Sequence, residues 1–464
     1  MTVLAEAGIS CDGLDAVVWR DGRGLVITDE DGDTVLPEDE VERAEILEEL
    51  LGAEQAALAE GLIAARTSSE PPMLPGITPE LHSLWLCLIE YLVLHDMDYV
   101  LATLAAATAK VLPDDPLWLM LVSPSSSGKT EALKLLWEIT DAKINDVTVA
   151  GLLGRGNRGV LARLQGADAL GLIPDFSAVL GNDKRSSEAK GNVFVALRDI
   201  YDGEYHRDIN PDPLHWYGRL SLIAACTPVI DSFSAHADAL GTRWLYFRMK
   251  PREVEERREA AYLVLSRRNT KELRAEARVA ASRIVLEARE RVHGVELPAG
   301  FERTIVDTGM LAAYGRTVVT RDWRGDDIDD VVEPEEPGRL IGQLRMLALG
   351  LLALGCTEQK ALAIVGRAAL SSMKQERARV LVALASAEDG CALSTTAVER
   401  AAGLAWRPCK RALQDWEAIG FVRGERAELD TPTAPSLWSI APEHADLVKA
   451  VATADKDFIE LGGK

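Results

Sequence analysis

The residues best suited to chemistry form one run, Ser123-Pro124-Ser125-Ser126-Ser127-Gly128-Lys129-Thr130. Four residues separate a turn position, Ser123, from Gly128-Lys129-Thr130, which is the P-loop spacing with serine where glycine is commonest. In such a loop, Ser125, Ser126, Ser127 and Gly128 offer backbone N–H groups to phosphate oxygens. Lys129 reaches the β- and γ-phosphates, and Thr130 gives a hydroxyl to Mg2+. A helix beginning there aims its positive end at the anion. Serine at position 123 can still turn, at some cost in backbone freedom. The chemistry expected is binding of ATP with Mg2+.

That loop needs a strand before it and a helix after it. Pro116 to Val122 is a continuous apolar run of the kind that suits a buried parallel strand, and Glu131 to Ile139 has helical character. Two more apolar runs, Ala169 to Ile173 and Leu220 to Ala225, alternate with helical stretches and predict an α/β layered core. Hydrolysis also needs a carboxylate at a neighbouring strand end. Leu170-Gly171-Leu172-Ile173-Pro174-Asp175-Phe176 supplies one acid, Asp175, without the usual Asp-Glu pair. Two registers stay open. Either Asp175 holds the metal, or Pro174 occupies the metal position and Asp175 aligns water. Asp202 and Glu204 are the nearby acids that could compensate, and a surface aspartate after a strand is the plain alternative.

Elsewhere the pattern is mostly helical. Short strands are expected at Val17-Val18-Trp19 and Leu25-Val26-Ile27, a helix over 39 to 66, and a linker from Thr67 to Pro75. Leu81 to Thr108, 252 to 293 and Glu302 to Arg379 read as helical, the last interrupted by an acidic loop from Asp326 to Glu336. At the C-terminal end, helices are predicted over Arg377 to Ala387, Thr395 to Ala402 (capped by Ser394) and Trp406 to Ile419. Two strands follow, at Phe421-Val422-Arg423 and Leu437-Trp438-Ser439-Ile440. Three helices and a two-stranded ribbon make a winged-helix pattern. Leu413, Trp416 and Ile419 would face its core. Arg407, Lys410, Arg411 and Gln414 would face DNA from the recognition helix, with Arg423 and Arg426 on the wing.

The chain has 464 residues, a length for two to four domains, with 47% hydrophobic and 27% charged residues. Its net charge of −22 argues against a chain coated in nucleic acid, but leaves room for a local basic element. No apolar run has the length of a membrane span, and no export signal follows Met1. The six cysteines lack paired metal-ligand spacing and read as reduced, mostly buried thiols. A cytoplasmic protein without membrane partners is expected.

Further motifs follow in order: Leu197-Arg198-Asp199-Ile200-Tyr201-Asp202-Gly203-Glu204, Trp216-Tyr217-Gly218-Arg219-Leu220, Ala224-Ala225-Cys226-Thr227-Pro228, Gly241-Thr242-Arg243-Trp244-Leu245 and Glu335-Glu336-Pro337-Gly338-Arg339-Leu340. From about residue 80 to 440 the chain resembles the AAA+ ATPases of phages and mobile elements, distantly similar to minichromosome-maintenance helicases. The resemblance implies a polar sensor at Thr227 and an arginine finger at Arg243 acting on the next subunit's nucleotide, with Arg248 as rival. It also implies a second sensor arginine at Arg339, reaching its own or the neighbouring site. A ring, as a homo-hexamer, follows from the finger. In related helicases, loops between the acidic motif and the sensor touch DNA. Lys184, Arg185, Lys190, Arg198 and Arg207 would then contact phosphates, and Tyr201 and Tyr205 would stack on bases. A solvated loop and core tyrosines are the alternative.

The expected organisation is a small N-terminal α+β unit and linker (1–75), an AAA+ P-loop core (76–251), a helical lid (252–373), a winged-helix domain (374–441) and a C-terminal helix and tail (442–464). The expected activity is a DNA-dependent ATPase: a helicase or helicase-like replication protein, with DNA and replication proteins as partners. A helicase loader or protein remodeller, and a nucleotide-switched DNA-binding assembly protein with weak hydrolysis, are the other readings.

Overall fold

The computed structural model describes residues 17–21, 24–29, 32–37, 40–52, 56, 73–145, 148, 151–152, 159–180, 187–207, 214–231, 243–266, 270–322, 327–387, 390–426 and 436–448. They form two compact units, one of residues 1–97 with 251–281, the other of residues 98–250 with 282–464. No helix among the described residues is long and apolar enough to cross a membrane.

In the first unit, strands β1 (Val17–Asp21), β2 (Gly24–Asp29) and β3 (Gly32–Leu36) form an antiparallel meander, followed by the helix Glu40–Leu51. The helix Pro79–Ile89 starts where Thr78 accepts a hydrogen bond from the Leu81 N–H and proline takes the first turn, both standard start signals. The helical run expected through Thr108 breaks after Ile89 and resumes at Asp98. The charged stretch near 252 to 293 is two helices, Val254–Ser266 in this unit and Thr270–Val292, whose residues from Ser282 on belong to the second. In the first unit, Arg252 donates to the Val93 carbonyl at 3.0 Å, and His95 meets Glu259 at 3.2 Å.

The second unit is α/β. Its sheet holds β4 (Trp118–Val122), β5 (Ala142–Lys143), β6 (Asp168–Ile173), β9 (Arg219–Cys226) and β10 (Leu245–Arg248), in the order β10-β4-β9-β6-β5. All neighbours pair in parallel. Strands covered on both faces read as unbroken apolar runs, and every residue of β4 is buried. Trp118, Met120 and Val122 face a cluster that includes Val193, Leu197 and Ile200 of the helix Ser187–Tyr201. Between that helix and β9 stands an antiparallel hairpin, β7 (Glu204–Arg207) and β8 (Leu214–Tyr217).

Three helices, Phe301–Arg316, Gly338–Ala353 and Glu358–Ser371, pack beside the sheet. The second lies against the buried helix Asp98–Ala109 so closely that a Cβ on Gly350 would come within 2.3 Å of the Ala105 carbonyl oxygen. Part of the acidic interruption is ordered as a strand rather than a loop: β12 (Ile328–Val331) pairs with β11 (Val319–Arg321). The apolar, β-branched Ile328 and Val331 flank two exposed aspartates and favour this. Arg367, with 1% of its surface exposed, donates to the Arg248 carbonyl at 2.7 Å and packs over the Phe247 ring.

At the C-terminal end, helices Gln375–Ala385, Thr395–Ala402 and Trp406–Ile419 pack with a sheet ordered β13 (Leu393–Ser394), β15 (Ser436–Ile440), β14 (Val422–Arg426). Ser394 caps the second helix, accepting from the Ala397 N–H at 3.2 Å, and Gly403 and Gly420 end the second and third helices in the left-handed conformation. The short β13 extends the expected two-stranded ribbon to three strands. Buried Arg377 binds Asp415 through two nitrogens, at 3.1 and 2.8 Å, and Arg321 reaches the same carboxylate at 2.6 Å. These pairs tie the third helix to the start of the first and to β11.

Candidate functional site

Because the five strands run parallel, their carboxyl ends share one edge. The Ser123–Gly128 segment leaves β4 there and enters the helix Lys129–Lys134, which continues to Ile139 as hydrogen-bonded turns. Ser123 extends the pairing by donating its N–H to the Cys226 carbonyl at 3.2 Å. Ser126 (φ 63°) and Gly128 (φ 102°) are both left-handed. Successive N–H groups in such a turn make a concave anion nest. Among the described residues, no acceptor takes the backbone N–H groups of Ser125, Ser126, Gly128, Lys129 or Thr130. At Gly128, a Cβ would stand 3.0 Å from the Tyr99 hydroxyl, so both the φ angle and the space call for glycine.

Lys129 is buried, and its ammonium spans the loop. It donates to the carbonyls of Ser123 and Pro124, the latter at 2.6 Å, and to the Ser127 hydroxyl at 3.4 Å. Burial lowers its pKa below the ordinary lysine value, and the neighbouring Cys226 and Asp175 oppose that shift. Thr130 is exposed at the first turn.

Two neighbouring strand ends complete this edge. Asp175, exposed, follows β6, and one of its oxygens accepts the Ser177 N–H at 2.9 Å. Phe176 turns into the core and donates its N–H to the Ala225 carbonyl at 2.7 Å. Thr227 follows β9, with its N–H on the Ser177 hydroxyl at 2.8 Å. Ser177 also bonds the Cys226 thiol, whose pKa burial pushes up to about 11. Ser177 and Cys226 were given no role in the sequence: Ser177 follows the Asp175-Phe176 motif, and Cys226 stands in the Ala224 to Pro228 motif only as the neighbour of Thr227. Only the parallel register of β6 and β9 brings them between Asp175 and Lys129.

The arginines lie elsewhere. Arg243 precedes β10, at the amino edge of the sheet, where Leu245 pairs with Leu119. Its guanidinium meets Asp202 at 3.2 Å, stands 5.8 Å from the centre of the Tyr201 ring, and its carbonyl accepts from Gln343 at 2.6 Å. Burial lowers its pKa first and the Arg339 charge lowers it further, while Asp202 works the other way. Arg339, in the first turn of the helix Gly338–Ala353, therefore shares this neighbourhood. Burial pushes Tyr201 up to about 12. The full length of β4, four residue steps of roughly 3.3 Å, separates this cluster from the loop after Val122. Arg248 sits at the carboxyl end of β10, held by both oxygens of Asp231 and by the Ser371 carbonyl, in the manner of a structural fork. Asp202 is engaged with Arg243 and Glu204 with two histidines, so neither stands beside Asp175 within the chain.

Tyr201 and Tyr205 are buried in the core cluster, as in the core alternative, and the exposed aromatic of the hairpin is Tyr217. Lys184 and Arg185 lie outside the described residues, and nothing is described of the Lys190 and Arg207 side chains. On the helix Trp406–Ile419, Arg407, Lys410 and Arg411 are exposed, and Lys410 packs 4.9 Å over the Trp406 ring. Gln414 is half-buried and accepts from Arg321 at 3.4 Å, so the β11 side of the helix is occupied. Leu413 and Trp416 are buried, Ile419 half-buried. Arg423 pairs with Glu443 at 2.9 Å. No protein-family model matches the sequence, and no curated protein matches it significantly.

Proposed function

We propose that this chain is an ATPase of AAA+ type that works on DNA as a ring of identical subunits, with each ATP site shared between two copies. One observation carries the reading. The phosphate-type loop and Asp175 lie at one edge of a parallel sheet, while the clustered arginines Arg243 and Arg339 lie at the other. A parallel sheet takes its ligand at the carboxyl edge. An arginine at the amino edge serves such a ligand only from a neighbouring copy.

The loop fits a triphosphate as substrate. Its unpaired N–H groups, left-handed Ser126 and Gly128, and centred ammonium are the donor set for phosphate oxygens. Ser125, Ser126, Ser127, Gly128 and Lys129 would bind the phosphates. Thr130 and Asp175 would hold Mg2+, which supplies charge neutralisation. Thr227, beside Ser177 and Asp175, would orient water or the terminal phosphate. Arg243 from the next copy would stabilise charge building on the transferred group, and Arg339 would reinforce it. The last C-terminal helices and sheet would act as a winged helix, presenting Arg407, Lys410 and Arg411 to DNA phosphates. Gln414, already engaged, is the weakest member of that set.

A nucleotide-switched DNA-binding protein with weak hydrolysis is the second reading. It is favoured by the lone, exposed Asp175, since both compensating acids are engaged elsewhere. ATP hydrolysis measured with and without single-stranded and forked DNA separates the two. Stimulated turnover is expected of the motor. Tight ATP binding with negligible turnover, and DNA binding that survives Lys129→Ala, would sink it in favour of the switch. Turnover that DNA does not stimulate points to a protein remodeller or loader.

A further inference from the structure

The β7–β8 hairpin carries a second constellation, unrelated to the nucleotide loop. Glu204 and His206 are two residues apart on β7 and so share a face, and His206 stands directly across from His215. The imidazole rings stack with centroids 3.9 Å apart and planes 15° from parallel. The Nε2 atoms of His206 and His215 converge on one Glu204 carboxylate oxygen, at 2.7 and 3.1 Å. One ligand atom from each residue lies within 4.8 Å of the others, and all three side chains are open to solvent.

Two imidazole nitrogens and a carboxylate oxygen meeting at a point are the donor set of a borderline first-row divalent ion, whereas Mg2+ and Ca2+ prefer oxygen alone. Metal–nitrogen bonds near 2.0–2.1 Å put neighbouring ligand atoms roughly 2.9 to 3.4 Å apart, close to the 2.7 and 3.1 Å between the carboxylate oxygen and the two nitrogens. The cross-strand register is what holds the three groups together.

We propose that Glu204, His206 and His215 bind a divalent transition-metal ion, Zn2+ among the common ones. Neutral imidazole nitrogens and the carboxylate oxygen would take the ion in place of their present hydrogen bonds. Three protein ligands leave at least one coordination position open to water or to a partner. The ion would also clip β7 to β8. A two-stranded ribbon is marginal by itself, so such a clip would pin its register.

The test uses the full-length chain without a histidine tag, in excess Mg2+ and without nucleotide. Calorimetric titration with ZnCl2 should give one site per chain. His206→Ala or His215→Ala should weaken it by at least about tenfold, and Glu204→Gln by less. Cu2+ should bind more tightly than Zn2+, and its paramagnetic resonance spectrum should show coupling to two imidazole nitrogens, lost in the His206→Gln/His215→Gln double variant. Far-ultraviolet circular dichroism identical to wild type shows that the variants are folded, and hydrogen exchange across 204–217 should slow on adding Zn2+. An isotherm the same in wild type and the folded double variant, or no isotherm in the wild type, overturns the proposal.

Discussion

The two edges of the central sheet differ in kind. The carboxyl edge is built from backbone: a tight turn with left-handed Ser126 and Gly128, unpaired N–H groups and one buried lysine folded over its own loop. The amino edge is built from side chains, two arginines close enough to depress the pKa of one, with Asp202 and the Tyr201 ring against Arg243. A backbone cradle binds an anion wherever one arrives. A pair of like charges kept together at a partly buried surface is costly unless something negative completes it. The difference teaches that one edge is shaped by backbone conformation and the other by side-chain charge, with Asp202 answering Arg243.

The largest expected effect tests that division directly. Arg243→Ala should lower ATP turnover by about 10^4-fold while leaving ATP affinity nearly unchanged. Mixing it with Lys129→Ala, each inactive alone, should restore part of the activity, because an intact loop then meets an intact arginine across an interface. A mixture as inactive as its parts would mean that the two edges do not cooperate between copies.

Lys129→Ala comes next, with about 10^3-fold lower turnover and weakened ATP binding, read from steady-state rates and fluorescent-nucleotide titration. Asp175→Asn should lower turnover by about 10^2-fold and raise the Mg2+ concentration needed for half activity. A variant with normal turnover would assign the acid elsewhere. Arg339→Ala should cost about tenfold, roughly 1.4 kcal/mol in the barrier, in turnover rather than in affinity.

The smallest effect is in pH dependence. Burial depresses the Lys129 pKa below 10.5, so its ammonium loses its proton at lower pH than an exposed lysine would. It is charged and phosphate-binding below that depressed value and neutral above it. ATP affinity should therefore fall as pH rises through the depressed value, and begin to fall before an ordinary lysine would titrate. Lys129→Arg, permanently charged, should flatten the slope in a series of binding titrations, whatever its effect on turnover.

The loop itself was legible in the sequence because its requirements are local. Gly128-Lys129-Thr130 after an apolar run specifies turn, charge and helix start within a dozen residues. The apolar strands were legible for the same reason, as were the helices Thr395–Ala402 and Trp406–Ile419, marked by Ser394, Gly403 and an apolar face at helical spacing. The strand within the acidic stretch was not, because Ile328 and Val331 are only two apolar residues among acids and β12 needs its pairing with β11 to form. Nor was the hairpin's histidine pair, whose members are nine positions apart and meet only through strand register. The involvement of Gln414 with Arg321 was equally invisible, since helical periodicity fixes a face but not what covers it.

By itself, then, the sequence determined the turn, the charge and the helix start of the loop, since these depend on residue type and backbone conformation over a few consecutive positions. Tertiary structure alone decided which distant residues share an edge with the loop. The order β10-β4-β9-β6-β5 sends Asp175 and Thr227 to the loop's edge and Arg243 to the opposite one. Strand order and direction arise from the packing of segments distant along the chain, and no local pattern encodes which end of a strand a residue will share with another.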